Sequence, residues 1–83
     1  MVNEQQKADV RAAIEAMKIE LSMRQEKAIE ALLVSPSVAK AAEASGIPER
    51  TIRHWLRADD DFARAYQAAK REVRRIITLE LVK

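Results

Sequence analysis

Eighty-three residues make one domain at most. The chain has 15 Lys and Arg, 13 Asp and Glu, one Gly, two Pro and no Cys. This excludes a disulfide framework, a zinc finger, a thiol nucleophile, a glycine-rich phosphate loop and a turn-rich β fold.

Apolar residues make up 48% of the chain, but 15 of them are alanine. Few large side chains are left for a core, and a domain this small buries only about 60% of its unfolded surface. Compact helical packing or burial against another copy is the expected answer. Abundant Ala, Glu, Lys, Arg and Leu points to an all-α chain of about five helices, a single domain over 1–83. The longest apolar run, Ala31-Leu32-Leu33-Val34, is far too short to span a membrane. Asn3, Glu4, Gln5 and Gln6 stand where a signal peptide needs an apolar stretch, which predicts a cytoplasmic protein.

The first predicted helix carries Val10, Ile14, Met17 and Leu21 on one face, with Asn3 as a candidate cap. The second begins at Ser22-Met23-Arg24-Gln25, a capping-box pattern, and turns Ala28, Ile29, Leu32 and Leu33 inward. Ser35-Pro36 ends it and is expected to start the third, with Ser35 as cap and Pro36 at the first helical position. The third helix is short, with Val38, Ala41 and Ala42 inward, and stops at Ser45-Gly46. The fourth runs from Pro48 to about Arg57. One of Asp59, Asp60 and Asp61 caps the fifth, and the others complement its dipole. That long helix, over 59–83, places Phe62, Tyr66, Ala69, Val73 and Ile76 on one face. Val73, Ile76, Ile77, Leu79, Leu81 and Val82 are too many for one side of a helix, which predicts self-association into a homo-oligomer.

The functional signal lies in Val38 to Arg57, within a core over 24–57. Ala42, Gly46, Ile47, Ile52 and Trp55 fit the small, turn and buried positions of a helix-turn-helix frame. With Ile52, Trp55 and Leu56 turned inward, the outer face of the second helix carries Glu49, Arg50, Arg53, His54 and Arg57. Arg50, Arg53 and Arg57 form one basic stripe. Arginine grips phosphate or guanine, while Thr51 and His54 reach a base edge or a phosphate oxygen. Charge follows the same division. Residues 1–49 hold 6 basic and 8 acidic side chains, and residues 50–83 hold 9 and 5. Double-stranded DNA is the expected partner, with Arg50, Thr51, Arg53, His54 and Arg57 as its contacts.

The stretch from Gln25 to Ala69 resembles phage-type helix-turn-helix proteins, above all terminase small subunits and their homeodomain-like relatives. The resemblance is carried by Ala42, Gly46-Ile47, Thr51-Ile52, Trp55-Leu56, Asp59, Phe62 and Tyr66. It implies recognition of viral DNA for genome packaging, assembly into a ring, recruitment of a terminase large subunit, and a place in the host cytoplasm. The family's small subunits usually continue through a longer oligomerisation region and a motor-contacting tail. This chain departs from that pattern at Lys83. A second reading is a transcriptional regulator or a recombinase or transposase DNA-binding module. A third is a helical protein-interaction module without nucleic-acid function.

The remaining features have plainer readings. Trp55, Phe62 and Tyr66 are core rather than a base-stacking platform. Lys70, Arg71, Arg74 and Arg75 read as a solvated helix face. His54 is the only histidine and has no cysteine beside it, so no metal site is expected. The scarcity of nucleophiles and bases predicts no enzyme activity and no cofactor.

Overall fold

The computed structural model describes residues 4–81, except the side chains of Gln6, Lys7 and residues 76–81. The expected cap Asn3 and the apolar side chains of Ile76, Ile77, Leu79, Leu81 and Val82 lie outside the described residues. Those described form five helices and no strand: α1 (Glu4–Ala16), α2 (Met23–Val34), α3 (Val38–Ser45), α4 (Glu49–Ala58) and the long α5 (Asp60–Leu81).

α1 buries Val10 and half-buries Ile14, as their spacing requires. It does not extend to Leu21 as the periodicity predicts. Lys18 takes a left-handed φ of 58°, and the chain turns through Met17 N–H to the Ile14 carbonyl (3.0 Å) and Lys18 N–H to that of Glu15 (2.9 Å). A left-handed lysine costs about 1–2 kcal/mol. The turn lets Ile19 pack on the core beside Leu21 from a non-helical connector, whereas a continued helix would put Ile19 on the side opposite Val10.

At α2 the capping box forms in both directions. Ser22 Oγ accepts from Gln25 N–H at 3.1 Å, and Gln25 Oε1 accepts from Ser22 N–H at 3.2 Å. The start of α3 differs from expectation. Ser35 is the extended C-cap of α2, forced out of the helical region by Pro36, and Ser37 caps α3 by accepting from Lys40 N–H at 3.2 Å. α3 ends in Gly46 at φ 73° and ψ 15°, whose N–H reaches the Ala42 carbonyl at 2.9 Å. Pro48 sits one residue outside α4 as its N-cap; its carbonyl accepts from Thr51 N–H (3.0 Å) and Ile52 N–H (3.2 Å).

Asp59 joins three elements. Its N–H donates to the Trp55 carbonyl (3.0 Å), closing α4. Its Oδ1 accepts from Phe62 N–H (3.1 Å), opening α5, and its Oδ2 accepts from Gln25 Nε2 (3.0 Å) at the head of α2.

α5 is the spine of the fold and packs on α1, α2 and α4, while α3 bridges α2 and α4. Among the described residues, Phe62, Ile29 and Ile52 are the largest fully buried side chains. Among the described residues, six of the twelve buried apolar side chains are alanines, and Ala28, Ala41, Ala65 and Ala69 are fully covered. Alanine thus builds the core rather than diluting it, because its small side chain lets helix backbones approach closely. Ala41 is the covered residue of α3; Ala42, expected at the helix crossing, is only half-buried against the same cluster.

Candidate nucleic-acid interface

α4 is the most sharply amphipathic helix of the described chain. Arg50, Arg53, His54 and Arg57 are exposed and fall within roughly a 100° arc at 3.6 residues per turn. Ile52, on the opposite side, is completely buried. Thr51 is half-buried at the edge of the arc, so the fold places four of the five expected contact residues together and the fifth on their flank.

The cations are not equivalent. Arg53 Nε donates to Glu49 Oε2 at 2.7 Å, an i, i+4 ion pair on the exposed face. Among the described residues, Arg50, His54 and Arg57 have no ion-pair partner. Pro48 offers no side-chain acceptor to the first turn of α4. The amides there and the positive end of the helix dipole favour an anion, in competition with Glu49.

The rear of α4 is held firmly. Trp55 and Leu56 are half-buried against the core. The Trp55 ring meets Phe62 with centroids 5.3 Å apart and planes at 46°. Arg24, exposed at the head of α2, places its guanidinium 5.9 Å from the Trp55 ring centroid, an interaction worth about 0.5–1 kcal/mol at an exposed site. The sequence shows Arg24 only inside the capping-box stretch, since only the fold brings it to α4. Gln25 is legible as part of a capping box but not as the partner of Asp59.

The arginines of α5 divide in the same way. Arg64 pairs with Asp61 at 3.6 Å, and Arg75 pairs with Glu72, whose carboxyl the Arg75 hydrogen bond holds below its usual value. Lys70 Nζ lies 4.6 Å from the Tyr66 ring centroid, and burial pushes that phenol up. Arg71 and Arg74 are exposed, with no ion pair among the described residues.

Elsewhere, an open groove of about 470 Å³ runs between α1, α2 and α3, lined by Val10, Ile14, Leu33 and Val34. Arg11 and Glu30 are 4.0 Å apart at its edge, and no α4 residue lines it. Among the described residues, no cluster of His, Asp and Glu converges as a metal site, and no helix is long and apolar enough to cross a membrane. The Asp59–Asp61 run acts through its first member as a cap.

Compared with protein-family models, with curated proteins and with solved structures, the chain matches none.

Proposed function

We propose that this chain binds double-stranded DNA, with α3 and α4 acting as a helix-turn-helix unit and α4 as the reading helix. The observation that carries the reading is the arc of Arg50, Arg53, His54 and Arg57 on a helix whose opposite side is buried at Ile52 and braced at Trp55. A rigid helix with a cationic outer face suits the major groove, where arginine reads guanine and grips phosphate. Arg50 and Arg57 supply phosphate affinity; Thr51 and His54 add position. Within this reading, the resemblance of Gln25–Ala69 to terminase small subunits favours recognition of viral DNA for packaging by a homo-oligomer that recruits a large subunit. The proposal assigns no catalytic residue and no cofactor.

The test is a salt titration of duplex binding by fluorescence anisotropy. Each phosphate that the protein ceases to neutralise lowers the slope of log K against log salt by about 0.9. Arg50→Ala with Arg57→Ala lowers it by about 1.8 if both grip phosphate. Unchanged affinity and slope refute α4 as the interface. A terminase-like assembly binds in many copies without a palindrome, whereas a regulator binds as a dimer on half-sites about 34 Å apart. A protein that binds no duplex at low salt is the interaction module instead.

A further inference from the structure

The Glu49–Arg53 pair is out of place on a surface that grips phosphate. A half-buried carboxylate at the edge of the reading face repels the DNA backbone and occupies one of its cations. Yet the Glu49 side chain is 41% exposed and that of Arg53 is 58% exposed, so both ends of the pair are open to a ligand. The bond uses Arg53 Nε and Glu49 Oε2. It leaves the terminal guanidinium donors and the second carboxylate oxygen outside it. The two side chains therefore offer a donor fork beside an acceptor, held one helical turn apart.

That order of groups complements one base-pair edge. In the major groove a G·C pair shows two acceptors, guanine N7 and O6, next to one donor, cytosine N4–H. An A·T pair places a donor where guanine has O6, and its thymine offers an acceptor and a methyl group to the carboxylate. We propose that Glu49 and Arg53 together determine specificity by reading a G·C pair: Arg53 donates to guanine, and Glu49 accepts from cytosine N4–H. Glu49 also penalises binding held by phosphate alone, since no backbone oxygen can satisfy it. Discrimination then comes from a repulsive element as well as an attractive one. This rests on the DNA-binding reading of α4.

The experiment selects bound duplexes from a randomised pool with the full chain. It then measures wild type, Glu49→Gln and Arg53→Lys on the selected duplex, on the duplex with its G·C positions changed singly to A·T, and on an unrelated duplex. Wild type is expected to show one position where the change weakens binding about tenfold or more. Glu49→Gln is expected to erase that preference to within about twofold, bind the unrelated duplex more tightly, and steepen the salt slope by up to about 0.9 as Arg53 turns to phosphate. Arg53→Lys keeps the charge but not the fork, and is expected to lose the same position. Circular dichroism of both variants checks that α4 is intact. Wild type that binds duplex while Glu49→Gln and Arg53→Lys keep its preference and slope overturns the pair and leaves the DNA reading standing. Wild type that binds no duplex at low salt overturns the DNA reading itself.

Discussion

Replacing Gly46 tests the turn that sets α4 against α3. Gly46 sits at φ 73° and ψ 15°, and a Cβ built on it meets no atom within 4 Å. The cost of a side chain is therefore backbone strain and not collision. Holding an L-residue in the left-handed region costs about 1–2 kcal/mol. The loss of glycine's extra freedom in the unfolded chain returns about 0.4–1 kcal/mol of that. Gly46→Ala should thus destabilise by about 1 kcal/mol, which lowers the melting temperature of a domain this size by about 4–8 °C. Gly46→Val should cost more, because a β-branched residue fits that region worst. Gly46→Asn should cost least, since asparagine tolerates it. Thermal melts followed by far-ultraviolet circular dichroism give the order directly. Wild-type melting for the valine variant, or asparagine worse than alanine, refutes the left-handed turn.

Other outcomes concern the caps and the half-buried Tyr66 phenol. Asp59→Ala removes the α5 cap and strands Gln25, for a loss of about 1–3 kcal/mol in urea unfolding. Asp59→Asn, which still caps, should recover most of it. Burial raises the Tyr66 phenol above its ordinary 10.0, so the folded state keeps that proton longer than the unfolded chain. Its contribution is complete below about pH 10 and lost as pH rises through the folded value, so Tyr66→Phe should flatten the alkaline fall in urea midpoint. A fall equally steep in both proteins places the titration elsewhere.

Helix termini were readable in the sequence wherever the decisive interaction is local. Ser22 and Gln25 satisfy each other three residues apart, and Asp59 caps α5 through Phe62, also three residues away. The exposed arc on α4 was readable for the same reason, because burial of Ile52 fixes which side of a helix faces out. Ser37 displaced Ser35 as a cap because two serines flank Pro36, and spacing does not say which side of the proline the helix begins.

By itself the sequence determined the helices, the left-handed glycine between α3 and α4, and the cations available to the candidate interface. These depend on spacing, backbone sterics and charge within one or two turns. Only the tertiary structure decided how those pieces meet. It ended α1 at Ala16 with a turn through Lys18 so that Ile19 and Leu21 pack, and it made alanines half of the buried apolar set among the described residues. It also set Arg24 over Trp55 and tied Gln25 to Asp59. Each of these joins residues far apart in the chain, and packing geometry between helix faces selects such pairs in a way that local pattern does not encode.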